Sequence, residues 1–238
     1  MNFCLQEFQF ENLKHANLRN CEFITKFHAS CTPNLETLDL SYCKNLFDID
    51  VSVGLLRKLK TWSLSYCTKL KILPSHLRLK SLNSFDLTGC RRLENFPEIH
   101  PEMKCLEVLH LGGSSIIELP SSIGYLTKLE TLQLRNCQKL RDLPDSVYKL
   151  QQLRVLFTTT AKLRPMCNSL DSFSRYGFHR MKSLNLTKCV NLVELDFLMK
   201  PDCFPSLEIL ELSGTKIITI PESFSKFPSL KHLSIRDC

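Results

Sequence analysis

Cysteine is the residue type here that most demands a chemical explanation, with twelve in 238 residues. Thiols at suitable spacing could hold zinc, act as nucleophiles or close a disulfide framework. This spacing supports none of these: no CxxC pair occurs, and a metal site is not expected. The seven histidines (His15, His28, His76, His100, His110, His179 and His232) form no HExxH and no recurring pairing with a carboxylate. No GxSxG elbow and no GxxxxGK[ST] phosphate loop is present. Asn185-Leu186-Thr187 matches a glycosylation sequon. The N-terminus, Met1 to Phe10, has no basic n-region and carries Glu7, so it does not read as a secretory signal. The expectation is a chain without catalysis and without a cofactor.

The cysteines make sense once the elements that place them are found. Seven of the twelve (Cys21, Cys43, Cys67, Cys90, Cys137, Cys189, Cys238) close an apolar phrase, LxxLxLxxC. Copies begin at Leu13, Leu35, Leu59, Leu82, Leu106, Leu129, Leu153, Met181, Leu207 and Leu230, at intervals of 22 to 28 residues. That period and phrase mark a leucine-rich repeat solenoid. The fold class is therefore α/β: a right-handed coil with a parallel β-sheet on its concave side and irregular or 3₁₀ structure on its convex side. One domain of about ten repeats spans residues 1–238. In each unit Leu-x-Leu is a strand whose leucines point inward while their neighbours face out. The cysteine column becomes a buried ladder of small apolar thiols. Rungs about 5 Å apart could form disulfides, but a reducing cytosol would keep them open.

The return stroke ends in Leu73-Pro74, Phe96-Pro97, Leu119-Pro120, Leu143-Pro144 and Ile220-Pro221. Proline belongs on such an outer turn. The segments that follow are long enough only for single helical or 3₁₀ turns. Ser114 and Thr215 replace cysteine in units one residue shorter. Their hydroxyls are expected to bond to loop backbone, with Ile117 and Leu119, or Ile217 and Ile220, as the next apolar pair. The phrase fails at Thr158-Thr159-Thr160, and 157–180 reads as an inserted loop or a decayed repeat.

The inner arc of a solenoid is its extended binding surface. Candidate partner-binding residues there are Arg19, Asp39, Tyr42, Tyr66, Asp86, His110, Gln133, Arg135, Asn185, Lys188 and Glu211. Tyr42 and Tyr66 share one repeat position and form a two-rung aromatic ladder, either a binding hot spot or ordinary cross-strand packing. Arg19, Arg135, Lys188 and Arg236 balance Asp39, Asp86, Glu211 and Asp237 along the arc. A nucleic-acid groove would need a basic excess there, so nucleic acid is not an expected partner. The net charge of +7 gathers past the cysteines, at Lys44, Lys69, Arg91, Arg92, Lys139, Arg141, Lys188 and Lys216. No segment is apolar enough to cross a membrane.

LxxLxLxxC followed by xxLxxLP resembles the repeat region of plant intracellular immune receptors of the TIR-NB-LRR class. The stretches that carry the likeness are Leu38 to Leu46, Cys90 to Ile99 and Ile117 to Leu129. The resemblance implies a cytoplasmic or nuclear protein-interaction module whose partner is a pathogen effector or a guarded host protein. It further implies that the flank of Lys44, Lys69, Arg91, Arg92, Lys139 and Arg141 docks on the nucleotide-binding domain and helps hold it off. No TIR or NB-ARC domain is present in these residues, and the tenth unit ends at Cys238 without a cap, which suggests a fragment. Two alternatives remain: the substrate-receptor repeats of an F-box ubiquitin ligase, which carry a full helix and longer units, and an extracellular receptor ectodomain.

Overall fold

In a computed structural model the described residues are 9–159, 178–190, 192, 204–220 and 222–238. In chain order the strands are β1 (His15–Asn17), β2 (Lys26–Phe27), β3 (Thr37–Asp39), β4 (Asp48–Ile49), β5 (Thr61–Ser63), β6 (His76–Leu77) and β7 (Ser84–Asp86). They continue as β8 (Glu98–Ile99), β9 (Val108–His110), β10 (Thr131–Leu134), β11 (Val155–Thr158), β12 (Ser183–Asn185), β13 (Ile209–Glu211) and β14 (His232–Ser234). Ten of these build one parallel sheet, ordered β1-β3-β5-β7-β9-β10-β11-β12-β13-β14, one rung per repeat.

Register follows from the phrase. Leu38, Trp62, Phe85 and Leu109 sit opposite one another across successive rungs. Their column continues through Leu132, Leu156, Leu184 and Leu210, and all are buried. A one-residue slip would turn the whole column into solvent, so burial fixes the pairing. Leu233, in β14, is 38% exposed.

The convex side holds 3₁₀ turns at Val51–Leu55, Ser121–Tyr125, Asp145–Lys149 and Glu222–Lys226. Pro120 and Pro144 cap two of them with φ of −66°, and Asp50 fills that slot in the second unit, accepting a bond from the Ser52 amide at 2.9 Å. Two small parallel sheets, β2–β4 and β6–β8, tie neighbouring return strokes together. Among the described residues no α-helix occurs, so the helical part of the α/β class consists of 3₁₀ turns. No helix is long and apolar enough to cross a membrane among those residues.

Three local expectations are revised. In the fifth unit Ile116, not Ile117, takes the buried slot, because the shorter segment brings it forward by one position. The partner recorded for Ser114 Oγ is Cys137 Sγ at 3.6 Å rather than loop backbone. In the interval 157–180, residues 160–177 lie outside the described residues. Phe157 and Thr158 complete β11 in register with β10, and Thr158 occupies an inward leucine slot, fully buried.

Candidate protein-interaction face

Each rung leaves its strand by the same backbone route, and that route decides which concave side chains are free. The residue before the cysteine, or before Ser114 or Thr215 in its place, has positive φ in nine units: Asn20, Tyr42, Tyr66, Gly89, Gly113, Asn136, Lys188, Gly214 and Asp237, between 57° and 74°. This turn aims its amide at the next rung and lengthens the ladder past the strand. Tyr42 donates to Ser65 O at 2.7 Å, Tyr66 to Thr88 O at 2.6 Å and Lys188 to Ser213 O at 2.8 Å. At the irregular unit Asn136 donates instead to Thr159 Oγ1 at 2.9 Å. Glycine and asparagine accept left-handed φ readily, whereas a bulky side chain there is unusual and costs about 1–3 kcal/mol.

The last concave residue of several strands is tied down by that turn. Oδ1 of Asp39 accepts the Ser41 amide at 2.8 Å, that of Asp86 the Thr88 amide at 2.8 Å and that of Asn185 the Thr187 amide at 3.0 Å. These are side-chain-to-backbone turns characteristic of Asp and Asn. Three of the expected binding residues therefore build the turn as well as facing the arc. Ser41 and Ser65, expected on the open face, are buried, and Ser63 bridges toward both, at 2.7 and 3.4 Å.

Tyr42 and Tyr66 do stack, with centroids 4.9 Å apart and planes 16° off parallel. Arg19 lies over the Tyr42 ring at 4.8 Å, and the Tyr66 ring lies against Gly89, where an added Cβ would sit 2.7 Å from Cδ1. Neighbours thus cover the outer faces of the stack, which offers ring edges and hydroxyls to a partner.

The cysteines act as donors rather than as reactive thiols. Sγ of Cys43 bonds Leu18 O at 3.1 Å, Cys67 bonds Leu40 O at 3.0 Å, Cys90 bonds Leu64 O at 3.2 Å and Cys137 bonds Leu111 O at 3.1 Å. Each reaches the inward carbonyl of the preceding rung. Burial pushes the Cys43 thiol up to about 11 and the Cys67 and Cys189 thiols up to about 12. None of the column cysteines is disulfide-bonded. Among the described residues no group of three or more His, Cys, Asp or Glu side chains converges on a possible metal position.

Against this geometry the chain can be set beside known proteins. Residues 78–238 match the family described as disease resistance protein RPS4B-like, leucine-rich repeats. The chain belongs to that family. It is 37% identical over 135 residues to disease resistance protein RPP2A of Arabidopsis thaliana, covering 56% of this chain and 10% of that protein. It is 30% identical over 252 residues to TMV resistance protein N of Nicotiana glutinosa, covering 87% and 22%. It thus spans between a tenth and a quarter of these relatives' lengths. The leucine-rich repeat domain of the type III effector XopL shares the fold, with TM-score 0.65, 19% identity and coverage of 90% and 73%. So does the functional domain of InlJ from Listeria monocytogenes, with TM-score 0.57, 16% identity and coverage of 95% and 54%, a protein described as including a cysteine ladder.

In this RPS4B-like repeat chain the remaining expected residues fall as follows. His110 and Gln133 are in register on β9 and β10, half-buried on the arc. Arg135 and Lys188 are exposed just past the strands, and Glu211 receives His232 at 3.0 Å. On the flank Lys44, Arg91, Arg92 and Arg141 are exposed without an ion pair, Lys69 donates to Asn45 Oδ1 at 2.9 Å and Lys139 pairs with Glu94 at 2.5 Å.

Two features of the arc escaped the sequence reading. The residue just after the first apolar position is charged in every unit but the fourth, which has Asn83, and builds a charged rim: Lys14, Glu36 and Lys60 link at 3.4 and 2.6 Å, and Lys182, Glu208 and Lys231 at 3.2 and 2.8 Å. The Lys60 hydrogen bond and charge lower the Glu36 carboxyl. The rim was legible as charged residues of both signs at a fixed repeat position. The other feature is apolar: Val108, Val155, Phe157 and Ile209 stand in outward-facing strand positions of the later repeats.

Proposed function

We propose that this chain is the recognition segment of a plant intracellular immune receptor. Its concave sheet contacts a pathogen effector or a guarded host protein, and its basic flank contacts the receptor's nucleotide-binding domain in the resting state. The observation that carries the reading is the unbroken ten-rung parallel sheet in a chain of the resistance-protein family. It places outward side chains from every repeat on one continuous arc. The rival ubiquitin-ligase reading requires a full helix in each unit, and the described convex side has 3₁₀ turns instead.

The test is transient expression in leaves of a receptor carrying this segment, challenged with a panel of effectors. Charge reversal of Arg135 on the arc should abolish the response to the recognised effector, while Tyr125→Ser on the convex side should leave it intact. An arc variant that responds like the parent counts against concave recognition. Reversing Arg91 and Arg92 together should raise signalling without effector, and unchanged basal signalling would remove the docking role of the flank.

A further inference from the structure

We infer that recognition is centred on the seventh rung, at Phe157 and Val155, and that the occupant is an extended protein segment in which acidic residues flank a bulky apolar side chain. This rests on the concave-face reading above and narrows it. Along the arc the last outward residues of the strands are Asn17, Asp39, Ser63, Asp86, His110, Gln133, Phe157, Asn185, Glu211 and Ser234. Phe157 is the one apolar member. Its partners in register are Gln133 and Asn185, so apolar cross-strand pairing does not account for it. Val155 stands two residues before it on the same face, between Thr131 and Ser183, and both side chains are half-buried. An aromatic side chain standing among polar ones on a binding arc has the character of an interface anchor.

Charge selects the occupant. Arg135 and Lys188 lie one rung to either side of the seventh, roughly 10 Å apart at strand spacing, both exposed and neither in an ion pair. The acids within two rungs along the arc are mostly taken: Glu130 faces Arg154 at 3.7 Å, Glu208 lies between Lys182 and Lys231, and Glu211 receives His232. Glu107 makes no ion pair, but it lies two rungs away on the entry rim. An incoming carboxylate therefore meets uncompensated positive charge on both sides of the apolar step. An incoming apolar side chain meets Phe157.

The experiment pans a phage-displayed library of random dodecapeptides against the full chain, then measures selected peptides by fluorescence anisotropy on variants. Selected peptides should carry Asp or Glu around Phe, Leu or Trp. They should lose about tenfold or more in affinity to Phe157→Gln, which copies the residue of the adjacent rung, and to the Arg135→Glu, Lys188→Glu pair. They should bind Tyr125→Ser, on the convex side, as they bind the parent. Should Phe157→Gln fail to fold by circular dichroism, Val155→Thr, copying Thr131, carries the same expectation. Peptides that depend on Tyr66 or Asp39 but not on Phe157 would overturn this site and leave the concave-face reading standing. Peptides indifferent to every arc variant would overturn both. A failure to enrich acidic-apolar sequences overturns the inference. So does tight binding of a single-stranded oligonucleotide lost only on charge reversal, since the surface would then select anions without an apolar anchor.

Discussion

The first four rungs of the arc and the five that follow share one fold but spend their outward side chains differently. On β1, β3, β5 and β7 the strand positions are polar, and much of that polarity is turned inward on the chain. Asp39 and Asp86 hold their own turns, Ser41, Ser63 and Ser65 bond among themselves, and Tyr42 and Tyr66 are stacked between Arg19 and Gly89. From β9 to β13 the cysteine column is interrupted by Ser114 and Thr215, the arc carries Val108, Val155, Phe157 and Ile209, and the cations Arg135 and Lys188 stand unpaired. A side chain already bonded within its own sheet has less to offer a partner. On the proposed reading, the early rungs mainly stiffen the arc and the later rungs, where Arg135 and Lys188 make no ion pair, are the ones that meet a partner.

That contrast can be broken or sharpened by measurement, beginning with the largest effect. Trp62 is fully buried, stacks on Phe85 at 4.5 Å, and its indole Nε1 has no hydrogen-bond partner. Trp62→Ala should destabilise the chain by about 3–5 kcal/mol in urea unfolding, while Trp62→Phe should cost far less because no hydrogen bond is lost. Similar costs for the two would mean that the indole nitrogen has a partner after all.

The cysteine ladder predicts a pH dependence carried by early and later rungs alike, at Cys43 and Cys67 as well as at Cys189. A thiol whose pKa is raised from 9.0 in the unfolded chain to about 12 when folded, as at Cys67, stabilises the fold fully below pH 9 and loses that contribution as pH rises toward 12. The loss amounts to at most about 1.4 kcal/mol per pH unit for each thiol. Melting temperature should thus fall above pH 9, and Cys67→Ser, which has no titrating thiol, should show a shallower fall. Parallel curves would exclude the thiol as the cause.

Gly89 links the stack to the backbone turn, with φ of +74° and the Tyr66 ring in the space a Cβ would need. Gly89→Ala should cost about 1–3 kcal/mol, and adding Tyr66→Ala should relieve the steric share but not the backbone share. Full relief in the double variant would show that the φ requirement is met without glycine. The smallest effect is expected at the rim: Lys60→Ala should change stability by less than about 1 kcal/mol, and less still at high salt, because its pair with Glu36 is exposed.

Much of this architecture was legible in the residues. The inward column from Leu38 to Leu210 and the cysteine rung fell where their spacing required, because side-chain alternation along a strand is a local property that each repeat states again. The charged rim from Lys14 to Lys231 recurs at one repeat position, interrupted only by Asn83. Phe157 was missed for a local reason. Its unit loses the phrase at Thr158, so the strand seemed to end, whereas threonine fits the buried slot and lets β11 run on.

The sequence by itself determined the repeat, its period, the buried face of every strand and the family to which those repeats belong. Only the tertiary structure decided which outward side chains are tied and which are free. Asp39, Tyr66 and Phe157 all read as outward residues in the sequence. Asp39 closes a turn, Tyr66 is held in a stack though partly exposed, and Phe157 is half-buried beside two cations that make no ion pair. The difference lies in contacts between rungs more than twenty residues apart, which exist only once the register of the sheet brings those rungs within about 5 Å.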